Sequence, residues 1–344
     1  MAFFKKGYNY LFKKLFLLGL GRLVRRLFQH KITIVSMHGV MFDHENVLWQ
    51  PLREQLKPEV LERTIRILSE HYTFISLGHA KNILSGVLPS VKNGLVFTLD
   101  DGYWNNLTYA GEVFNKYDIK PTIFISTKNI DQCSPFWFDR LDYALQQLTE
   151  DRFFILFGSE KFTFNTSSRA KLKQSYAKFR SKCKAFYLTD IEMRDALDRI
   201  SSQIETETSK ALTDIIKVDD WTRLASWSEL IEVSNSDKFD VGSHTVDHIR
   251  IALTDHITAR EQLVASKEKI ELHLDKACKY FCYPNGNVDD VVSKMVADAG
   301  YELAVTTKKG LNSPGDDMMK LRRFSIPIQE KSNDVLYAIS PLRI

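Results

Sequence analysis

GLVFTLDDGYWNN, residues 94–106, is the stretch on which the fold turns: an apolar, strand-forming run that ends in two adjacent carboxylates and a glycine. A continuous apolar strand implies burial on both faces, as in a parallel sheet covered by helices. Similar runs recur at ITIVSM (32–37), YTFISL (72–77), PTIFIS (121–126), FDVGS (239–243), KYFCYP (279–284), ELAVTT (302–307) and RFSIPI (323–328). Between them lie helix-periodic segments such as PEVLERTIRILSEH, AREQLVASKEKIELHL and VDDVVSKMVADAG. Strands and helices alternating over this many units predict an α/β barrel or near-barrel.

One region breaks the alternation. Residues 139–224 carry a hairpin pattern, FFILF-GSE-KFTF, and then two charged helical segments, SRAKLKQSYAKFRSKCKAF and DIEMRDALDRISSQIETET. A structureless loop of that length is improbable in a compact domain, so the region reads as a mostly helical insertion between successive barrel units and as the place to look for substrate specificity. The expected organisation is a leader at 1–30 and a barrel at 31–344 interrupted by this insertion.

Charge is unevenly distributed. The net charge is +4, but Lys5, Lys6, Lys13, Lys14, Arg22, Arg25, Arg26 and Lys31 put +8 in the leader, which leaves −4 for the rest. A mildly acidic body argues against nucleic acid as a partner. In the leader, Phe4, Tyr8, Leu11, Phe12, Leu15 and Leu18 form one helical stripe. Beyond Gly19 and Gly21 a second, out-of-phase stripe of Leu20, Val24, Leu27 and Phe28 predicts a break at the glycines. The uncharged run Leu15–Gly21 is far short of the roughly 20 apolar residues that span a bilayer. A basic amphipathic helix lying on a membrane surface through residues 1–29 is the expectation, with packing on the protein's own core as the alternative. The four cysteines show no CxxC spacing and read as free thiols. The expected location is the face of the bacterial cytoplasmic membrane or the cytoplasm, ahead of secretion.

Polar residues collect at strand ends, where the loops of a parallel barrel converge. His38 ends the first run, Asp100 and Asp101 end GLVFTL, His244 ends FDVGS with His248 four residues on, and Asn285 follows KYFCYP. H-x-x-x-H alone is also a common surface pair, and an Asp before a turn is also a helix cap. A cap uses one acid, however, and this chain has two. One carboxylate with the two histidines makes a three-ligand divalent-metal site, leaving the other as a general base for water.

These motifs carry a family likeness. TLDDG resembles the T-F-D-D-G motif of the polysaccharide deacetylases (the NodB homology domain, carbohydrate esterase family 4), SHTVDH resembles H-[ST]-x-x-H, and YPNG is similar to the core of the third motif, P-Y-G. The likeness runs from about His38 to Pro327 and takes in SWSEL and Trp137–Leu141. It implies a distorted (β/α)7 TIM-like barrel and metal-dependent removal of an N-acetyl group from an amino sugar in a polysaccharide or lipid-linked glycan. On the matching positions, Asp100 is the base acting on metal-activated water. Asp101, His244 and His248 are the ligands of a divalent metal, zinc first with cobalt, nickel or manganese as alternatives. The amide N–H of Asn285, after Pro284, is the oxyanion donor.

The sequence departs from the family pattern twice. The arginine expected near the base is replaced by Cys282, and the late L-x-H histidine is missing, the last histidine being His273 on a helix. SMHGV and LRRF resemble motifs of a family subset, which makes Arg323 the expected partner of Asp100 and His38 the expected acid for the leaving amine. Two other functions compete: a deformylase for a lipid-linked amino sugar, and a catalytically inactive carbohydrate-binding homologue.

Overall fold

The computed structural model describes residues 12–42, 48–157, 160–187, 189–328 and 334–343. Among the described residues there are ten strands: β1 (Thr33–Met37), β2 (Thr73–Phe74), β3 (Gly94–Leu99), β4 (Thr122–Ile125), β5 (Arg152–Phe157), β6 (Glu160–Asn165), β7 (Asp240–Ser243), β8 (Tyr280–Cys282), β9 (Leu303–Val305) and β10 (Phe324–Ser325). Seven form one path in the order β10-β1-β3-β4-β7-β8-β9, with β2 added on β3, and every pair in this sheet is parallel. The sheet curls: Leu321 bridges to Val305 beside β9, and the chain then enters β10, which pairs with β1. This is the near-barrel expected from the alternation of apolar runs and helical segments, in the distorted (β/α)7 form that the family resemblance implies.

All eight apolar runs supply strands of this sheet, though several are shorter than their patterns. YTFISL yields only Thr73–Phe74, because the Ser76 side chain accepts from the His79 N–H and starts the helix Leu77–Leu84 there. A cap residue with extended backbone ends the strand pattern early. The outer helices Pro58–Ser69, His256–Leu274 and Asp290–Asp298 match the periodic segments.

Between β4 and β7, which pair directly, the chain leaves the barrel through the helix Trp137–Gln146 and builds the antiparallel β5–β6 hairpin and the helices Arg169–Phe186 and Asp190–Thr208. Both long helices begin on sequence-encoded caps, Ser168 for the first and a Thr189/Glu192 capping box for the second. Leu141, Leu145, Ile155, Phe164, Leu172, Phe179, Met193, Leu197 and Ile204 give this region a core of its own.

The leader helix is present from Phe12 and breaks at Gly19, whose φ of +126° lies outside helical geometry, before resuming at Gly21–Leu27. The second stripe keeps Leu20, Val24 and Phe28 on the core as expected, whereas the phase of the first differs. Phe16 and Val24 are buried, and Phe12, Leu20 and Phe28 pack beside them, whereas Leu15, Leu18, Leu23 and Leu27 are exposed. The Phe16 ring selects the face by lying against Gly21, where a Cβ would meet it at 2.7 Å. Phe4, Tyr8 and Leu11 of the expected stripe lie outside the described residues. Among the described residues, no helix is long and apolar enough to cross a membrane.

Phe179 is fully buried against Phe162 and Phe164. Phe179→Ala is expected to destabilise the inserted region by about 3 to 5 kcal/mol, read as an earlier denaturant transition.

Candidate active site at the strand ends

Most of the candidate residues follow the end of a strand, and the first positions after β3, β7 and β8 are still gripped by the neighbouring strand. The Asp100 N–H donates to the Met37 carbonyl at 3.0 Å, the His244 N–H to Ile125 at 2.8 Å and the Tyr283 N–H to Val305 at 3.2 Å. The parallel ladder thus fixes where the polar side chains begin. Beyond it the backbone turns sharply. Asp101, Thr245, His248 and Asn285 all have positive φ, at 78°, 71°, 54° and 57°. Such conformations cost energy in non-glycine residues and persist where surrounding structure imposes them. Gly286 completes the last turn, and a Cβ there would lie 2.0 Å from Thr307 Oγ1.

Asp100 is buried and held by the similarly buried Arg323. Nη1 donates to Oδ1 at 2.7 Å and Nη2 to Oδ2 at 2.8 Å, a two-pronged charge-assisted pair. The guanidinium is itself anchored, by Nε on the Thr306 carbonyl at 2.9 Å and Nη1 on Thr98 Oγ1 at 2.9 Å. Burial disfavours the Asp100 charge, but Arg323, His244 and His38 outweigh it and hold the carboxyl below its ordinary range. Cys282 lies against the same pair, Sγ being 3.6 Å from Asp100 Oδ1 and 3.1 Å from Arg323 Nη2. The guanidinium therefore reaches Asp100 from β10 across the position that Cys282 leaves open on β8.

Asp101 faces the histidines. Its Oδ1 is 3.3 Å from His248 Nε2 and 3.8 Å from His244 Nε2. Burial opposes its ionisation, yet His38, His248 and Arg53 bring it well below the usual carboxylate range. His244 Nδ1 is 2.7 Å from the Cys282 carbonyl, an acceptor, so that nitrogen carries the proton and Nε2 keeps its lone pair toward Asp101. Burial, then the neighbouring His248, lowers the His244 imidazole to about 4, keeping it neutral. The His248 ring is flanked by Phe136 and Phe138, with ring centroids at 5.1 and 5.6 Å. One donor atom each from Asp101, His244 and His248 falls within 4.8 Å of the others. Two imidazoles and a carboxylate, converging and buried, fit a divalent cation and match the donor set of zinc.

His38 directly follows β1 and is exposed, close enough to both carboxylates to act on their charge. Asn285 and Pro284 form the turn after β8, with Asn285 Oδ1 accepting from Lys184 Nζ at 3.0 Å. The structure thus brings Asp100, Asp101, His244, His248 and Arg323 into direct contact, with His38 and Asn285 around them. His273 lies elsewhere, stacked on Trp227 at 4.0 Å.

One residue at the centre had no sequence signal. Arg53, in the loop before the first barrel helix, donates to Asp101 Oδ2 at 3.3 Å and to the Tyr103 hydroxyl at 2.5 Å. The Tyr103 hydroxyl in turn donates to Asp139 Oδ2 at 2.6 Å. Burial raises Asp139 to about 6 against the pull of Arg53 and Tyr103. Arg53 belongs to no periodic segment and its partners are 48 to 86 residues away in sequence, so only folding reveals it.

A family model described as polysaccharide deacetylase matches residues 183–304, which hold the histidine pair and YPNG. No curated protein matches the chain. Among solved structures, the fold is similar to that of the Streptococcus pyogenes deacetylase PplD in complex with acetate, at 16% identity and TM-score 0.58 over 91% of this chain and 100% of that one. It is also similar to BC0361, a polysaccharide deacetylase from Bacillus cereus, at 19% identity and TM-score 0.56 over 91% and 70%. IcaB from Ammonifex degensii aligns at 14% identity and TM-score 0.57 over 90% and 98%. Over residues 183–304 the chain is thus similar to the polysaccharide deacetylase family, and the fold around that stretch is similar to that of these solved deacetylases.

Proposed function

We propose that this chain is a hydrolase that removes the N-acetyl group from an amino sugar of a polysaccharide or lipid-linked glycan. The observation that carries this reading is the division of labour between two adjacent carboxylates, Asp101 facing the two histidines and Asp100 locked by Arg323. Asp101, His244 and His248 would hold a divalent metal, zinc by their chemistry. Such an ion, when bound, polarises a carbonyl and makes water a better nucleophile near neutral pH.

The remaining chemistry belongs to the chain's own residues. Asp100, kept ionised, accepts a proton from the attacking water as the water oxygen bonds to the acetamide carbon. Arg323 holds both oxygens of Asp100 in one orientation, so the base needs no reorganisation. The Asn285 N–H donates to the carbonyl oxygen as it gains negative charge. When the C–N bond breaks, the amine nitrogen takes a proton from His38, which solvent then replenishes; acetate and the free amino sugar leave. Arg323 also weakens the inactive-homologue reading, since the base retains a cationic partner despite Cys282.

The exposed part of the leader supports attachment to a membrane surface. Leu15, Leu18, Leu23 and Leu27 project to solvent from a segment that also exposes Arg22 and Arg26, an arrangement suited to anionic headgroups. A peripheral place on the bacterial cytoplasmic membrane would bring a lipid-linked glycan to the site.

The direct test is acetate release from N-acetylhexosamine oligomers, with formate release from N-formyl analogues distinguishing a deformylase. Asp100→Asn is expected to lower kcat by roughly 100- to 10,000-fold while bound metal, measured by elemental mass spectrometry, is retained. His244→Ala and His248→Ala should lose the metal as well as turnover, and His38→Gln should slow turnover with metal unchanged. Arg323→Ala strands a buried carboxylate, so a loss of about 3 to 5 kcal/mol in denaturant unfolding is expected alongside lost activity. For the leader, Leu18→Glu with Leu23→Glu should abolish co-sedimentation with phosphatidylglycerol vesicles and leave hydrolysis of soluble oligomers unchanged.

A further inference from the structure

Two cations on the inserted region reach the site without a carboxylate partner. Arg180 and Lys184 are one turn apart on the helix Arg169–Phe186, hence on the same side of it. Arg180 lies over the rings of Trp137, Phe138 and Tyr176, with Cζ 5.6, 5.6 and 5.9 Å from their centroids. Phe138 is the ring that flanks His248, at 5.6 Å between centroids. Lys184 Nζ donates to Asn285 Oδ1, on the residue assigned above as oxyanion donor. One cation is therefore a single ring away from a candidate metal ligand, and the other touches the opposite part of the site.

Their surroundings set them apart from other basic side chains nearby. Arg140 is paired with Asp198 and Glu205, Arg194 with Asp195 and Asp247, Arg250 with Asp190 and Lys182 with Glu160. Among the described residues neither Arg180 nor Lys184 has an ion pair. Partial desolvation by its neighbours, then the like charges of Arg180 and Arg250, lowers the Lys184 ammonium from its ordinary value, with Asp190 opposing but outside ion-pair distance. Two neighbouring cations that repel each other at the rim of a site are stabilised by an anion between or beside them. A guanidinium fork with a compact ammonium suits phosphate oxygens.

We propose that Arg180 and Lys184 bind a phosphate of the substrate, so that the sugar deacetylated here is phosphate-linked, a deepening that rests on the deacetylase reading above. The phosphate can come from a diphosphate joining the sugar to a carrier lipid or from a phosphodiester within a glycan. Both put a phosphate near the sugar whose acetamide enters between Asp100 and Asn285.

The test compares hydrolysis of three N-acetylglucosamine substrates by the metal-loaded full chain: the methyl glycoside, a short-prenyl diphosphate conjugate and a methyl phosphodiester. Wild type should show at least about tenfold higher kcat/KM on a phosphorylated substrate than on the methyl glycoside, the value of one charge-assisted contact. Whether the diphosphate or the phosphodiester is preferred identifies the source. Lys184→Ala and Arg180→Gln should each remove most of that advantage, mainly through KM, and leave the methyl glycoside rate unchanged. Equal rates on all three substrates, or variants that slow all three alike, would overturn the proposal and leave the deacetylase reading intact. Titration of the metal-loaded protein with inorganic pyrophosphate by calorimetry separates the remaining case. Binding that Lys184→Ala weakens, in a protein that deacetylates nothing, would support the anion site and reject the deacetylase reading; absence of pyrophosphate binding in such a protein would reject both. Lys184 is exposed, so its variant is expected to fold, and unchanged thermal unfolding checks this.

Discussion

The structure depends on accommodating two consecutive buried carboxylates at the end of β3. Neighbouring like charges withdrawn from water are tolerated only when each has its own compensation. Asp100 receives the Arg323 fork and Asp101 receives His248, His244 and Arg53. The two sets come from different parts of the chain, and the backbone change at Asp101, with φ of 78°, turns its side chain toward a different set of partners. Closing the sheet and neutralising Asp100 are one event, because Arg323 immediately precedes β10 and β10 pairs with β1 beside β3.

Cys282 and Arg323 make sense only together. A guanidinium at position 282 would compete with Arg323 for the same carboxylate and would set two cations side by side in the interior. A thiol there is small and uncharged; burial pushes its ionisation well above the ordinary range, and its sulfur lies 3.1 Å from Arg323 Nη2. The chain thus retains a carboxylate–guanidinium pair while changing the strand that delivers the cation. The same residue's carbonyl fixes the His244 tautomer, so one β8 position serves both carboxylate environments.

Much of this was legible in the sequence because the signals are local. Apolar runs marked all eight strands of the barrel sheet, and polar residues directly after them marked what the strand ends would present. The two insertion helices were marked by their charged helical segments, and the structure starts them on the caps Ser168 and Thr189. What was hidden depends on tertiary encounters. Arg53 lies in a loop without periodicity, and Arg180 and Lys184 look like the solvent face of a charged helix until Phe138 and Asn285 are placed beside them. The phase of the leader's first stripe was missed for a different reason: before the expected break at Gly19, the bulky Phe16 against Gly21, rather than the larger number of leucines, decides which face is buried.

The electrostatics of the centre and the rim differ in kind. At the centre every charge has a partner at contact distance, including Arg53, whose guanidinium is shared among Asp101, Tyr103 and Asp139. A fully compensated centre has fixed dipoles and little room to discriminate among substrates by charge. At the rim, Arg180 rests on aromatic rings and Lys184 on an amide oxygen, neither of which cancels a positive charge. Differences in binding between charged and neutral glycans must then arise at the rim, on the helix that the insertion supplies. A barrel that works at its strand ends would in this way take its substrate preference from the element that interrupts it.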